Sequence, residues 1–472
     1  MLEIFTLFLH KLKPLFMVIL VAGAFFLLQP GSNAAAETTE IINRAEKLIA
    51  PKAQTMNKAN ILTEFYRQRD YEIIWLDGNE LSPLGEKLYS LISQRKKRGL
   101  TVDDYNLNDI NGIWLSMRNQ DIGEIDPSRL AQLELKMSEG FFEMAADLAS
   151  GQLKENSLQN KSIPTELEAE LRELLEVIAE QEAFYPALQN IQSQHPYYWQ
   201  LKQELRTKIE TEDHTQEITE LIVNLERWRW LPRNLGEEHI LVNQPSFNLK
   251  FFENNEIIME MKTVVGTPER PTPNINSRLT HLVLSPRWYI PNSIAVQDHL
   301  PEIKEDQSYL DQRNFRVYEH DGERYREVDP DEINWEEKNK DNFPYYLWQD
   351  AGPANALGRV IFRFPNQQQI YLHDTPDRHL FAENIRAYSS GCIRLEKPLE
   401  LTYYLLREDQ EWDRDRIQEK IENRDETQVN LPEPVDIYLT YFTAIPDSET
   451  GQITYHDDLY ERNENLRNIL EQ

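Results

Sequence analysis

The hydrophobic pattern of the chain changes near His239, from helical spacing before it to short alternating segments after it. Within residues 37–226 apolar side chains recur at helical spacing, as they do at 133–148, and Gly151 follows where a helix C-cap would fall. This period predicts amphipathic helices that bury one face in a common core. Other helices are expected at 61–69, 83–98 and 164–183.

The second half of the chain has the pattern of short strands. Its apolar segments are β-branched or alternating, and Pro, Gly and Asn stand between them. The segment 435–442 comes late in the sequence, and we expect it to return and complete the sheet. The other expected strands are 240–243, 247–252, 257–265, 279–284 and 360–364.

Residues 291–358 interrupt the strand pattern with a polar stretch rich in Asp and Glu. An irregular stretch of this length inside a β domain is typical of a lid or a binding subdomain, or else it is disordered. Its aromatic residues favour the lid: Trp335, Phe343, Tyr345, Tyr346 and Trp348. A chain of 472 residues is too long for one core, so the predicted class is α+β and multidomain.

The first 36 residues have the order of a secretory signal peptide. Lys11 and Lys13 precede an apolar run at 15–28, and Ala34-Ala35-Ala36 offers a small-residue cleavage site. The alternative is an uncleaved signal anchor that attaches the protein to the inner membrane. Either way we expect the bulk of the chain to be exported, which points to the periplasm.

The charge balance excludes several classes of partner. The formal net charge is −30, with 80 acidic against 50 basic residues, so the surface repels nucleic acid and anionic lipid. No Cys/His cluster has metal-ligand spacing, and no glycine-rich phosphate motif occurs in the sequence. We expect no nucleic acid partner, no metal and no cofactor.

Cys392 is the only cysteine of the chain, and it follows Ser389, Ser390 and Gly391. In an exported protein a lone cysteine cannot form an internal disulfide, so reactive chemistry is favoured over the alternative of a small buried hydrophobe. The thiolate is the attacking species and needs a base to take its proton. The small residues before it would leave the main-chain N–H groups of Ser390, Gly391 and Cys392 available to an oxyanion.

His373 is the candidate base, nineteen positions before the cysteine. Residues 369–373 read as a strand, which turns Tyr371 and His373 to one face and two apolar residues to the core. His373 would accept the thiol proton and return it to the leaving amine. An ordinary surface histidine is the alternative. The candidate substrate-binding residues are Tyr371, Arg386, Ser389 and Arg394, although both arginines could be ordinary surface residues.

Several separated motifs then resemble one family. His373 followed by Ser389-Ser390-Gly391-Cys392-Ile393-Arg394 is similar to the signature of the L,D-transpeptidase catalytic domain. The wider context resembles the long class of Gram-negative envelopes, in the same order along the chain. The supporting segments are 224–232, 264–268, 272–273, 288–291, 355–358, 364–366 and 371–376.

The resemblance implies an α-helical N-terminal scaffold domain at 37–225, and a β-rich catalytic domain at 226–465 with a capping insertion at about 292–357. It implies peptidoglycan biosynthesis, with roles in cell wall biogenesis and cell shape. The enzyme would attack a tetrapeptide stem through a cysteine acyl-enzyme, release the terminal D-alanine and form a 3→3 cross-link. It also implies inhibition by carbapenems.

Two features depart from the family pattern. Ser390 stands where a histidine is widespread, so the base assignment depends on His373 alone. The sequence also leaves no room between 198–206 and 217–230 for the peptidoglycan-binding module of many long members. Two alternatives to the transpeptidase stay open, an L,D-carboxypeptidase that uses the same Cys-His site and a non-catalytic wall-binding scaffold.

Overall fold

The computed structural model describes residues 31–56, 58–101, 103–155, 163–181, 183–211 and 215–470. Of the expected signal segment 1–36, the residues up to 30 lie outside the described part of the chain. Within the described ranges, no helix combines the length and the apolar character that crossing a membrane requires.

The first half is helical and encloses its own hydrophobic core. The central helix begins after Asp126, whose side chain accepts a hydrogen bond from the N–H of Ser128, and it ends at Gly151 as expected. The expected helix at 83–98 is divided, because it becomes a 3₁₀ turn at Arg95–Arg98. The elements are α1 (Gly31–Ala53), α2 (Ala59–Gln68), β1 (Leu76–Asp77), β2 (Glu80–Leu81), α3 (Pro83–Ser93), α4 (Leu107–Met117), α5 (Pro127–Ser150), α6 (Thr165–Gln181), α7 (Phe184–Asn190), α8 (Pro196–Glu210) and α9 (Thr215–Arg229).

The second half begins with four antiparallel strands and then enters a subdomain with a separate sheet. The four strands are β3 (Glu238–Asn243), β4 (Asn248–Glu253), β5 (Glu256–Gly266) and β6 (Ile275–Leu284). The subdomain, here called the cap, comprises residues 288–349. Its elements are β7 (Trp288–Tyr289), α10 (Asn292–Ile294), a π-helical turn (Ala295–His299), α11 (Leu300–Glu305), α12 (Tyr309–Gln312), β8 (Phe315–His320), β9 (Tyr325–Val328) and β10 (Tyr345–Gln349).

The cap is folded around a core of its own. Its strands pair in the order β7-β10-β8-β9, and side chains such as Phe315, Val317 and Leu347 are buried beneath them. The expected irregular stretch at 291–358 is therefore corrected to a small four-stranded sheet with short helices. The sequence of β10 does not show the alternation of apolar and polar residues that is typical of a strand, because the neighbouring aromatic residues Tyr345 and Tyr346 point to opposite faces of it.

The chain returns from the cap to close a barrel-like sheet. Its order is β13-β5-β14-β12-β11-β6-β15-β3-β4, and β4 also pairs with β5. The late strand expected at 435–442 does return to the sheet, as part of β15, which begins earlier and ends at Thr440. It lies between β3 and β6. The remaining elements are β11 (Val360–Arg363), β12 (Leu372–His373), β13 (Ala387–Ser389), β14 (Ile393–Leu395), α13 (Pro398–Leu405), α14 (Arg414–Glu422), β15 (Thr427–Thr440), β16 (Ala444–Pro446), β17 (Ile453–Tyr455) and α15 (Asn463–Leu470).

The two halves share a hydrophobic core. The indole of Trp228, near the end of α9, stacks on the ring of Phe442 with 4.7 Å between ring centroids. The expected boundary between residues 225 and 226 therefore falls inside α9, which packs against the β-rich half. The predicted fold class, α-helical first and β-rich second, is confirmed.

Candidate active site

Two parallel strands position the candidate nucleophile and base. β12 pairs with β14, so that Leu372 lies opposite Ile393 and His373 lies opposite Arg394. Cys392 immediately precedes β14, which brings it to the same end of the pair as Tyr371. Strand pairing thus joins two sequence motifs that lie nineteen positions apart.

The expected strand at 369–373 is shorter than its pattern indicated. Only Leu372–His373 pair as a strand, because Gln369 adopts a left-handed backbone with φ +58°. The side-chain amide of Asn366 holds this turn, since its Oδ1 accepts from the Ile370 N–H at 2.8 Å and its Nδ2 donates to the Ile370 carbonyl at 2.7 Å. The expected division of faces is kept, since Leu372 is buried in the barrel core and His373 lines a cavity.

Ser389 fixes the conformation of the loop that carries the thiol. Its hydroxyl accepts from the Gly391 N–H at 3.1 Å and donates to the Cys392 carbonyl at 2.5 Å. Gly391 has φ +113°, a backbone conformation that favours glycine. Ser389 therefore has a structural role in addition to its place in the cavity wall.

The same bond revises the set of oxyanion donors. The Gly391 N–H, expected to face an oxyanion, already donates to the Ser389 hydroxyl. Among the described residues no acceptor pairs with the N–H of Ser390 or of Cys392. These two amides are therefore the donors that the loop can offer to a developing negative charge.

His373 is buried, and its ring is oriented by the main chain. Its Nδ1 lies 2.6 Å from the carbonyl oxygen of Asp374, which can only accept a hydrogen bond. Nδ1 therefore carries the proton, and Nε2 keeps its lone pair. Burial, followed by the positive charge of Arg394, lowers the pKa of His373 to about 3. The imidazole is therefore neutral near pH 7.

The Asp374 side chain anchors this arrangement to the start of β11. Its Oδ2 accepts from Arg359 Nε at 2.6 Å and from the Arg359 N–H at 3.0 Å. Gly358, with φ +64°, passes so close that a Cβ there would lie 2.5 Å from the Asp374 Cβ. Only glycine allows this approach, which keeps the carbonyl under the imidazole in place.

The Cys392 thiol is half-buried beside Tyr371. Burial is the main influence and raises the pKa of the thiol, while interactions with the main chain and side chain of Tyr371 lower it to a lesser extent. The Cys392 Sγ also lies 4.0 Å from the Gln369 carbonyl oxygen. Within the described residues no hydrogen bond joins Sγ to His373. The raised pKa of the thiol and the lowered pKa of the imidazole both favour the uncharged forms of the two groups.

A cavity of about 890 Å³ opens over the thiol, between the barrel and the cap. The barrel side contributes Tyr371, His373, Ser389, Cys392 and Arg394, which the sequence had singled out. The cap contributes apolar, aromatic and polar side chains, among them Trp288, Tyr289, Ile294, His299, Tyr309 and Phe315. A reaction at the thiol would therefore take place in a partly apolar cavity.

The two arginines expected to bind substrate differ in placement. Arg394 lines the cavity, but its Nη1 donates to Asp377 at 2.8 Å, so its charge is already compensated. Arg386 does not line the cavity. It is 8% exposed, and its guanidinium donates to three main-chain carbonyls, those of Phe247, Thr263 and Glu383. This packing corrects the expected substrate contact of Arg386.

The sequence reasoning missed Arg363, on β11. Its guanidinium lines the cavity and lies over the Tyr371 ring, with 4.5 Å between Cζ and the ring centroid. Among the described residues, no carboxylate lies within ion-pair distance of it. The alternation of 360–364 was the available signal, because Arg363 falls on the face opposite the buried Val360 and Phe362.

Arg270 connects the nucleophile loop to the cap. Its Nη1 donates to the Ser390 hydroxyl at 2.8 Å and to Asp298 Oδ2 at 2.7 Å, and its Nη2 donates to Asp298 Oδ1 at 2.5 Å. The fork geometry of guanidinium and carboxylate sets the distance between loop and cap at one side of the cavity. No group of His, Cys, Asp or Glu in the described part of the chain could hold a metal ion.

Comparison with known proteins assigns both halves to domain families. Residues 60–205 match the Scaffold domain, and residues 237–427 match the L,D-transpeptidase catalytic domain. A Haemophilus influenzae protein named "Putative L,D-transpeptidase" is 34% identical over 284 residues. That match covers 60% of this chain and 56% of the relative, so the chain spans little more than half of the relative's length.

Two solved structures are also similar. An L,D-transpeptidase from Mycobacterium smegmatis aligns with 13% identity and a TM-score of 0.20, covering 43% of this chain and 58% of its own. An L,D-transpeptidase in complex with imipenem aligns with 12% identity, the same TM-score and the same coverage. By its two domain matches, the chain carries a Scaffold domain followed by a catalytic domain that belongs to the L,D-transpeptidase family.

Proposed function

We propose that this protein is a peptidoglycan L,D-transpeptidase that forms 3→3 cross-links through an acyl-enzyme on Cys392. One observation carries the proposal. The only thiol of the chain faces a cavity of about 890 Å³ that is also lined by a neutral, buried His373. The domain match over residues 237–427 supplies the reaction class.

The first half-reaction is acylation. A tetrapeptide stem binds with the carbonyl of its third residue over the thiol, and the thiol turns from Tyr371 towards His373. Nε2 accepts the proton while Sγ attacks the carbonyl carbon. The N–H groups of Ser390 and Cys392 stabilise the oxyanion. The C–N bond then breaks, His373 returns the proton to nitrogen, and D-alanine leaves as the free amine.

The second half-reaction is transfer. The side-chain amine of a diaminopimelate residue in a second stem attacks the thioester, and His373 accepts the proton that the amine loses. The C–S bond breaks and the sulfur takes back that proton, so the enzyme is regenerated. The apolar side chains with which the cap lines the cavity, among them Trp288, Ile294 and Phe315, favour this outcome over hydrolysis, because they limit the access of water to the thioester.

Arg363 is the group that we assign to a stem carboxylate. Its guanidinium is half-buried, faces the same cavity as the thiol and has no carboxylate partner among the described residues. An anionic substrate would meet an uncompensated cation here, whereas at Arg394 it would compete with Asp377. Tyr371 supports the Arg363 side chain through the contact with its ring.

The proposed location follows from the proposed substrate. A wall cross-linker works outside the cytoplasmic membrane, and residues 1–36 have the order of an export signal, so we place the protein in the periplasm. Attachment to the inner membrane would depend on residues that lie outside the described part of the chain. Inhibition by a carbapenem is proposed because acylation of Cys392 by a strained lactam uses the same nucleophile and oxyanion donors.

Mass spectrometry of products tests the proposal. The protein and its Cys392→Ala variant are incubated with a disaccharide-tetrapeptide, and products and intact protein masses are recorded. We expect a cross-linked dimer, release of D-alanine, and a lactam adduct on the parent protein that the alanine variant lacks. A tripeptide without dimer would instead assign the L,D-carboxypeptidase activity. If neither a product nor an adduct is found, the protein is assigned as a non-catalytic scaffold.

A further inference from the structure

The outer face of the cap sheet is covered by aromatic side chains. Side chains alternate along its strands, so that Leu347 and Val317 enter the cap core while their neighbours point away from it. On the outward side Tyr346 lies opposite Tyr318, and Trp348 lies opposite Tyr289. We call this surface the aromatic platform; its members are Tyr289, Tyr318, Tyr325, Tyr346 and Trp348.

The platform is continuous and open to solvent. Trp348 stands at its centre, with its ring centroid 3.9 Å from that of Tyr318, 5.0 Å from that of Tyr325 and 5.1 Å from that of Tyr289. The side chains of Tyr289, Tyr325 and Tyr346 are 52%, 47% and 37% exposed. Aromatic rings cost free energy when they stay in contact with water, so a cluster of this kind marks a binding surface.

The platform reaches the mouth of the catalytic cavity. Tyr289 belongs to both, because it contacts the Trp348 ring and also lines the cavity that holds Cys392. A molecule that lies on the platform could therefore extend a branch past Tyr289 towards the thiol. Because the platform and the cavity share Tyr289, we expect the molecule on the platform to be covalently joined to the substrate in the cavity.

The charges around the platform indicate what kind of occupant fits. Its arginines are compensated, since Arg316 pairs with Asp350 and Glu327, and Arg326 pairs with Glu319. The platform itself is thus nearly neutral. The net charge of −30 on the whole chain repels anionic lipid and a second copy of the chain, so both are disfavoured as occupants. A neutral sugar ring suits it, because the apolar C–H face of a pyranose packs flat against Tyr and Trp.

We infer that the aromatic platform binds the glycan strand of peptidoglycan, a chain of N-acetylated pyranoses, while the attached stem peptide enters the cavity. This inference extends the proposed function and depends on it for the identity of the stem. It assigns recognition of the cell wall to the cap. Sugar rings stack on the tyrosines and Trp348, and the stem branches off at Tyr289.

Binding without turnover tests the inference. In the full chain carrying Cys392→Ala, affinity is measured for a β-1,4-linked hexasaccharide of N-acetylglucosamine, which has no stem peptide. We expect saturable binding and quenching of tryptophan fluorescence. Adding Tyr325→Ala and Tyr346→Ala should weaken the affinity about tenfold, as loss of aromatic anchors does in other interfaces. Tyr185→Ala, at a tyrosine 47% exposed on the helical half, should leave the affinity unchanged.

A second double variant distinguishes the contribution of the aromatic rings to binding from the contribution of the hydroxyl groups and from the effect of misfolding. Tyr325→Phe with Tyr346→Phe keeps both rings, so it should bind the hexasaccharide within about twofold of the parent if stacking is responsible. Equal losses in the Phe and Ala variants, absence of hexasaccharide binding by the parent, or a concentration-dependent dimer that the Ala variant abolishes would each overturn the inference. Because the hexasaccharide carries no stem and the reaction assay can use a stem without a strand, the two proposals fail independently.

Discussion

The Nδ1 atom of His373 lies 2.6 Å from the main-chain carbonyl oxygen of Asp374, the next residue in the chain. The imidazole is therefore oriented by a carbonyl and not by a carboxylate. The Asp374 carboxylate holds that carbonyl indirectly, because it is bound by Arg359 at the start of β11. The tautomer and the direction of Nε2 both follow from this local contact, which makes the base dependent on a short stretch of backbone.

Replacing His373 should remove most of the activity and leave the fold intact. A positioned general base contributes roughly 10²–10⁴-fold to a rate, so we expect His373→Ala to lower kcat/KM for cross-linking by a factor in that range. Steady-state kinetics on a tetrapeptide substrate measures the loss. The matched control is His379→Ala, at an exposed histidine six positions further on, which should keep full activity. Equal kinetics for the two variants would contradict the assignment of the base.

The resting thiol should be protonated at neutral pH. Burial raises the pKa of Cys392, and burial with the charge of Arg394 lowers the pKa of His373 to about 3. Raising the pKa of an acid delays its deprotonation, and lowering the pKa of a base keeps it neutral, so both shifts oppose a thiolate–imidazolium pair. The difference in ultraviolet absorbance at 240 nm between the parent and Cys392→Ala should therefore be absent at pH 7 and appear only in alkaline solution. A thiolate signal already present at pH 6 would show that an ion pair forms.

Local patterns predicted the elements of the site well because they depend on periodicity. The alternation in 369–373 placed His373 on the face away from the core, and the small residues before Cys392 indicated a tight loop. What the pattern could not give was the length of that strand, because the turn at Gln369 is made by the side chain of Asn366. Such a bond depends on a rotamer, which no spacing of residues reports.

Roles that depend on distant neighbours were not accessible to the same reasoning. Arg386 looks like any free cation in the sequence, yet it is satisfied by carbonyls more than a hundred positions away, at Thr263 and Phe247. Arg363 looks equally ordinary, and only the folded chain leaves it without a carboxylate. Charge counting gives the number of cations, whereas the tertiary fold decides which of them remains uncompensated.

Replacing Gly358 by alanine should reduce both stability and activity, because a side chain there would collide with Asp374. A Cβ at this position would lie 2.5 Å from the Asp374 Cβ, and the residue has φ +64°. We expect Gly358→Ala to lower the free energy of unfolding by about 1–3 kcal/mol beyond the backbone strain alone, and to reduce activity by displacing the carbonyl that orients His373. Thermal unfolding and kinetics on the same preparations measure both effects.

The control for that clash is Gly451→Ala. Gly451 has φ +69°, so alanine meets the same backbone strain there, but no atom lies within 4 Å of its Cβ. This variant should lose stability only through strain and should retain activity. If the two alanine variants were equally stable and equally active, the close approach of Gly358 to Asp374 would have no role in holding the base.

Arg363 should control the binding of the donor stem more than the chemical step. Its uncompensated guanidinium lies in the cavity over Tyr371, so Arg363→Gln should raise the KM for a tetrapeptide about tenfold, the usual loss for one bond to a charged group. The value of kcat should change by less than about twofold, because the same contact exists before and during acylation.

Arg363→Lys keeps the charge and should recover part of the affinity. Arg278→Gln, on the neighbouring strand and outside the cavity, is the control for a simple loss of positive charge. A fall in kcat at constant KM would instead assign Arg363 to the stabilisation of the transition state.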